Sequence, residues 1–161
     1  MEVVIVRLNN LIVSNGSAIP AFIHKILNNK PLTITDPEMT RFFMTTKRAI
    51  ELIEEAFNYA GNGEILMNYA SPCKLDDIVK AVLQLMNVAD DYPREIIGPR
   101  PGEKKFEYLI TQEEKPFIHN YANTLIYNPD APGCFNSAVC SHEMPLLTVK
   151  EIISMISEEE L

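Results

Sequence analysis

The chain has 161 residues, with 22 Asp and Glu against 14 Lys and Arg for a formal net charge of -8, and hydrophobic residues at 47%. That composition suits one folded domain or a piece of a larger one. Its acidity excludes a nucleic-acid surface, which needs concentrated Lys and Arg, but leaves room for a single phosphate pocket. No apolar run approaches the roughly 20 residues of a membrane span, and Met1-Glu2-Val3-Val4 has no basic leader or cleavage site. Cys73, Cys134 and Cys140 are odd in number and form no CxxC, as reduced thiols do. The expected location is therefore cytoplasmic, with no metal centre.

Val3-Val4-Ile5-Val6 is a β-branched run that predicts a strand buried on both faces of a parallel sheet. Few strand signals of that strength follow, so Met1 is expected to start in the middle of an architecture. Residues 7 to 16 are polar and loop-like. Ser17 then caps a predicted helix from Ile19 to Asn28, in which Ile19, Phe22, Ile23, Ile26 and Leu27 form the apolar face and His24 faces water. Lys30 to Thr35 alternates as a short strand, Asp36-Pro37-Glu38 turns the chain, and Met39 to Phe43 is again extended. Arg41 in that segment is either a surface charge with a buried stem or an anion ligand aimed into a cleft.

A strong helix is predicted from Thr45 or Thr46 to Tyr59, with Ala49, Ile50, Ile53 and Phe57 on its buried face and Gly61-Asn62-Gly63 ending it. Glu64 to Asn68 is a strand. Leu75 to Met86 is a helix whose stripe is Ile78, Val79, Val82, Leu83 and Met86. Glu95 to Ile97 is a strand, Lys105 to Ile110 a helical turn or two, and Asn123 to Tyr127 a strand. Residues 130 to 145 read as loop. Thr148-x-x-Glu151 is a capping box opening a last helix to about Ser157, and Glu158-Glu159-Glu160 is a solvated tail.

Between these elements, Gly98-Pro99-Arg100-Pro101-Gly102-Glu103-Lys104 places charged side chains on a stiff bend. An arginine fork can grip a phosphate, and a carboxylate beside it can accept hydrogen bonds from sugar hydroxyls. An exposed loop capped by charges has the same composition. Familiar catalytic machinery is missing. No GxGxxG or Walker-type loop occurs among six glycines. Cys134, Cys140 and His142 match no zinc spacing, and no feature of the sequence activates a Cys/His nucleophile. The acid pairs Asp36/Glu38 and Asp76/Asp77 suit a turn and a first helical turn.

The motifs Arg7-Leu8-Asn9-Asn10-Leu11 with Ser14-Asn15-Gly16-Ser17-Ala18-Ile19-Pro20, then Leu32 to Phe42, Gly63-Glu64-Ile65 and Gly98 to Lys104 stand in an order that resembles the C-terminal half of the UDP-N-acetylglucosamine 4,6-dehydratases. These are the polysaccharide-biosynthesis branch of the extended short-chain dehydrogenases. The resemblance implies an α/β fold comprising a late Rossmann strand plus a small mixed α/β substrate-binding lobe, with an incomplete Rossmann sheet. Residues 1 to 161 would form one substrate-binding unit. It also implies that Asn10 contacts the diphosphate of a UDP-sugar, with Arg41, Arg100 and Glu103 completing the uridine-diphosphate site.

In the complete family enzyme NAD(P) takes a hydride from sugar C4, water is lost across C5 and C6, and the hydride returns at C6. The glycine-rich cofactor loop and the tyrosine-x-x-x-lysine pair of that chemistry belong to the N-terminal half. None of this chain's six tyrosines is followed four residues later by lysine. The implied partners are a UDP-sugar and a separate NAD(P)-binding half or a second copy of the chain; the alternative is a non-catalytic remnant. The family pattern has Gly at Asn9 and Val13, Arg at Asn15 and His at Phe106, and the first two departures are expected where cofactor and sugar meet.

Overall fold

Four α-helices and eleven short strands form among residues 1–135 and 137–159, the part of the chain that this computed structural model describes. In chain order they are β1 (Ile5–Arg7), β2 (Asn10–Leu11), α1 (Ala18–Leu27), β3 (Leu32–Ile34), β4 (Thr40–Met44), α2 (Thr46–Tyr59), β5 (Ile65–Asn68), β6 (Pro72–Lys74), α3 (Leu75–Leu85), β7 (Arg94–Ile96), β8 (Tyr108–Ile110), β9 (Ile118–Tyr121), β10 (Thr124–Tyr127), β11 (Val139–Cys140) and α4 (Val149–Ser157). The main sheet runs β1-β5-β10-β9, with β1 parallel to β5 and the β9–β10 hairpin added antiparallel. A second sheet runs β2-β4-β6, and β3 pairs with β7 and β8 with β11. No helix among the described residues is long and apolar enough to cross a membrane.

Three apolar clusters hold these layers. Helices α1, α3 and α4 bury Ile19, Phe22, Ile26, Ile78, Val82, Ile152 and Ile156 together with Leu32 and Ile34 of β3. Helix α2 covers one face of the main sheet through Ala49, Leu52 and Ala56 against Leu66. Met67, Leu125, Ile118, Leu109 and Ile110 fill the opposite face. Successive strand residues point to opposite faces, so Leu66 and Met67 serve different clusters and β5 is the strand covered on both sides.

That corrects the expectation for the first strand. β1 begins at Ile5, has a neighbour on one edge only, and leaves Val3 and Ile5 about half exposed at 47% and 49%. Val4 and Val6 pack under α2, but nothing covers the alternate residues.

The buried face of α2 is also not the one the sequence predicts. Ile50, Ile53 and Phe57 are 53%, 50% and 91% exposed, while Leu52 and Ala56 join Ala49 inside. Two alanines let the helix backbone sit close to the sheet, and polar bonds fix the rotation. Arg48 donates to Asn68 Oδ1 of β5 at 2.9 Å and Thr124 Oγ1 of β10 at 2.5 Å, and pairs with Glu55 at 2.6 Å. At about 100° per residue, holding the Arg48/Glu55 flank toward β10 turns Ile53, Phe57 and Ile50 to the β1 side.

Smaller differences have local causes. Residues 105 to 110, expected as helical turns, bend and enter β8, because the partner strand β11 lies in the 130–145 segment expected to be loop. β2, β6 and β9 are likewise too short to produce periodicity. Gly133 in that segment crosses β9 so closely that a Cβ would lie 2.2 Å from the Ile118 carbonyl oxygen. Ser17 occupies the α1 N-cap position without a side-chain cap bond. Leu27, expected on the buried face of α1, is 68% exposed. The capping box at Thr148 and Glu151 forms as expected. Glu159, read as solvated tail, accepts the Thr46 N–H at 2.6 Å and so satisfies a donor in the first turn of α2; Glu160 lies outside the described residues.

Two outcomes follow. Leu52→Ala lowers the unfolding free energy by about 2–5 kcal/mol, whereas Phe57→Ser changes it by less than about 0.5 kcal/mol; urea titration separates them, and equal losses would mean that α2 is rotated. Hydrogen bonds from Arg48 hold the Glu55 carboxyl below its usual range, and those from Arg7 do the same for Glu114. The stability these pairs give is fully present above the unfolded carboxyl value of about 4.3 and is lost as pH falls through the lower folded values. Thermal melts of Glu114→Gln should therefore depend less on pH over that acid range than those of the parent.

Candidate functional site

The Arg100 bend forms as its residues require. Pro101 and Gly102, the latter at φ 82, occupy the central positions of a turn closed by Glu103 N–H donating to the Arg100 carbonyl at 2.9 Å. The Arg100 N–H donates in return to Glu103 Oε2 at 2.9 Å. Glu103 thus stiffens the turn with one carboxylate oxygen.

Arg100, Glu103 and Arg41 line one cavity of about 320 Å³. Its far wall is the start of α1, Gly16 to Ala18, and its side is Lys25 with Thr33, joined by a bond of 2.7 Å from Lys25 Nζ to Thr33 Oγ1. Three cationic side chains and a helix N-terminus around one hollow make it suited to an anion. The net charge of -8 makes this concentration of positive groups local.

Asn10 lines an adjoining hollow of about 470 Å³ with Arg7, Asn9, Phe42, Lys104, Glu107 and Tyr108. The division follows from strand geometry. In β4 Arg41 and Phe43 point to the first cavity and Phe42 to the second. Four expected site residues therefore occupy two neighbouring cavities, bridged by a fifth that the sequence did not single out. Glu107 pairs with Arg41 Nε at 3.3 Å through one oxygen and accepts from Asn10 Nδ2 at 3.1 Å through the other. Asn10 Nδ2 also donates to the Phe42 carbonyl at 2.9 Å. Arg41 donates to the carbonyls of Thr40 at 2.8 Å, Lys105 at 3.1 Å and Lys104.

Of the two roles open to Arg41, the structure displays a part-buried guanidinium fastening the 104–107 segment to β4. Glu107 is positioned by fully buried Ser141, whose Oγ accepts the Glu107 N–H at 2.9 Å and lies 2.7 Å from Thr40 Oγ1. Glu107 and Lys104 flank a segment without helical or strand periodicity, so their charge and closeness to the Arg100 bend were the only sequence signals. Lys25 was hidden as one more polar position on α1.

The departures from the family pattern fall in different places. Asn9 lines the larger hollow and donates to the Asn68 carbonyl at 3.3 Å, tying the ends of β1 and β5. Val13, expected beside it, lines instead a groove along α1 with Asn15, Pro20, Ile23 and Leu27. Phe106 stacks on His142 at 4.1 Å between ring centroids, and His142 Nδ1 is 3.0 Å from Cys140 Sγ. No spacing in the sequence supports a Cys/His pair, yet Cys140 of β11 meets His142. Cys140 is 1% exposed, and Cys134 stands apart on the surface.

Comparison with known proteins agrees with this architecture. The family model for polysaccharide biosynthesis proteins matches residues 1–129. A UDP-glucose 4-epimerase of Rickettsia bellii is 37% identical over 119 residues, 74% of this chain and 34% of its own length. The capsular polysaccharide biosynthesis protein CapD of Staphylococcus aureus is 39% identical over 113 residues, covering 69% of this chain and 19% of that protein. The X-ray structure of Pen from Bacillus thuringiensis superposes with a TM-score of 0.89 at 29% identity, over 99% of this chain and 50% of that one. A UDP-glucuronic acid 4-epimerase from Bacillus cereus, in complex with UDP-glucuronic acid and NAD, shares the fold at a TM-score of 0.58 and 23% identity, over 65% of this chain and 35% of that one. The chain spans about a third of the length of its curated Rickettsia relatives and half that of Pen. With its main sheet open at β1 and its motifs in family order, the chain belongs to the polysaccharide biosynthesis protein family, on part of the extended short-chain dehydrogenase fold.

Proposed function

We propose that residues 1 to 161 form the substrate-binding portion of an enzyme that converts a UDP-sugar, UDP-N-acetylglucosamine or a close relative, by 4,6-dehydration or 4-epimerisation in polysaccharide biosynthesis. The observation that carries this is the convergence of Arg41, Arg100 and Glu103 on one cavity beside the α1 N-terminus. Arg100 is the side chain best placed to meet a diphosphate, because it projects from a turn braced by Glu103 and makes no side-chain bond among the described residues. The second Glu103 oxygen is available to ribose hydroxyls. Asn10, in the adjoining hollow, marks the direction in which the sugar would extend.

NAD(P) does not fit on these residues alone. The segment after β1 is Leu8-Asn9-Asn10, and among the described residues no strand opens into a glycine-rich turn and helix that would cradle a dinucleotide. In this proposal the cofactor is bound by another half-domain, on the same polypeptide or a second one. The open edge of β1 and the Ile50/Ile53/Phe57 stripe beside it are where such a half would seat. The same surface favours a second reading, a partner-binding remnant that keeps the lobe without the chemistry.

Nucleotide binding separates the two. UDP at one hundred times its dissociation constant stabilises a single-site protein by about 2.7 kcal/mol, which for a chain of this size is about 5–10 °C in melting temperature. Arg100→Ala should abolish the shift while leaving the ligand-free melt within about 2 °C of the parent, since its side chain supports no other group. Absence of calorimetric heat with UDP or UDP-N-acetylglucosamine at millimolar concentration would remove the nucleotide-sugar proposal and leave the remnant.

A further inference from the structure

Two of the expected diphosphate ligands, Asn10 and Arg41, already have their donors engaged, whereas Arg100 does not. Both N–H bonds of the Asn10 amide are directed to the Phe42 carbonyl and Glu107 Oε2. Arg41 has three N–H groups on backbone carbonyls, and its Nε faces Glu107 Oε1 at 3.3 Å. The Asn10 carbonyl oxygen, which repels an anion, is the part of that side chain left without a partner among the described residues. One carboxylate therefore sits between the two residues, with one oxygen on each, as a phosphate group would.

We infer that Glu107 is an internal anion that holds Asn10 and Arg41 while the site is empty and is displaced when a diphosphate arrives. The inference rests on the proposed nucleotide-sugar site and adds a positioning residue to it. Three features make Glu107 suited to leave. Its side chain is a third exposed, at 33%, and it borders the open 470 Å³ hollow rather than a closed core. Its third contact, from the Phe42 N–H, is long at 3.4 Å. Its backbone is anchored separately, by the N–H bond to buried Ser141, so the side chain can swing without releasing β8. Lys104, on the rim of the same hollow, offers the displaced carboxylate a new counter-charge.

The electrostatics set the direction of the effect. A ligand that must expel Glu107 loses the Arg41–Glu107 attraction before it gains its own, so the resident carboxylate lowers anion affinity. It also keeps a part-buried arginine paired in the empty protein, where an unpaired one would be costly. An anion too weakly charged to replace both carboxylate contacts is thereby rejected.

Calorimetric titration of the whole chain with UDP, and separately with inorganic pyrophosphate, tests this. Glu107→Gln keeps the side-chain shape and removes the charge; Glu107→Ala removes both, and melts without ligand verify that each variant is folded. Either variant should bind both probes about two- to fivefold more tightly than the parent, the factor that corresponds to removing a competing ion pair. Weaker binding in Glu107→Gln would mean that the carboxylate contacts the ligand directly, and unchanged binding with a lowered melt would mean a purely structural brace; both overturn the inference while leaving the nucleotide site intact. Tighter pyrophosphate binding without UDP binding supports the displaced carboxylate and removes the uridine assignment. No binding of either probe to parent or variants overturns both.

Discussion

The geometry of the site depends on one guanidinium. The segment from Lys104 to Glu107 runs past β4 with a single backbone bond to it, Thr40 N–H to the Lys105 carbonyl at 3.1 Å. Arg41 supplies further partners, donating to the carbonyls of Lys104 and Lys105 and pairing with Glu107. Carbonyls on an irregular segment need such partners, because no strand or helix satisfies them. By fastening this segment, Arg41 sets where the Arg100 turn lies against α1, and so where Arg100, Glu103 and Lys25 can converge. Its alternation partner Phe42 meanwhile anchors the opposite face of β4 in the apolar cluster beneath the main sheet. The same strand thus ties the site to the core on one side and shapes it on the other.

Charge is distributed to suit that arrangement. The surface is acidic overall, yet Arg7, Lys25, Arg41, Arg100 and Lys104 surround two adjoining hollows. Two of these cations are kept in place by acids, Arg7 by Glu114 at 2.5 Å and Arg41 by Glu107. Away from the site, ion pairs orient elements instead. Arg94 joins Asp76 at 2.9 Å and Asp90 at 2.8 Å, holding β7 to the start of α3, and Arg48 fixes the rotation of α2. Large apolar side chains stay exposed along β1 (Val3, Ile5) and the neighbouring flank of α2 (Ile50, Ile53, Phe57), and at scattered positions elsewhere such as Leu27, Ile96 and Ile97. A parallel strand with one free edge, next to an uncovered stripe, is the kind of surface that a further α/β layer would complete.

Helices α1 and α3 were legible from apolar spacing over several turns, because one face of each packs on a core that reads that spacing directly, and α4 was legible from its capping box. Helix α2 carries two apolar stripes, and the bulkier one, with Ile50, Ile53 and Phe57, is the one the structure leaves exposed while Ala49, Leu52 and Ala56 are buried. The choice was made by Arg48, whose partners on β5 and β10 are 20 and 76 residues away. The short strands β2, β6, β8 and β11 span two or three residues each, too few for alternation to register, and they exist because a partner distant in sequence completes their hydrogen bonds. The first strand's β-branched run signalled a sheet but not its place at that sheet's edge.

For the site, sequence determined the stiff turn at Arg100, through proline and glycine at the positions a type II turn requires, and the identity of the charges it carries. It also determined family membership, since that lies in ordered motifs rather than in contacts. Tertiary structure alone decided which charges meet. Arg41 and Glu107 are 66 residues apart, and Asn10 and Glu107 are 97 apart; their meeting on one carboxylate depends on β2 pairing with β4 and on buried Ser141 holding the start of β8. Local chemistry fixes a turn because its energetics lie within four residues. Contacts between side chains tens of residues apart are fixed by packing, and no short window of sequence contains them.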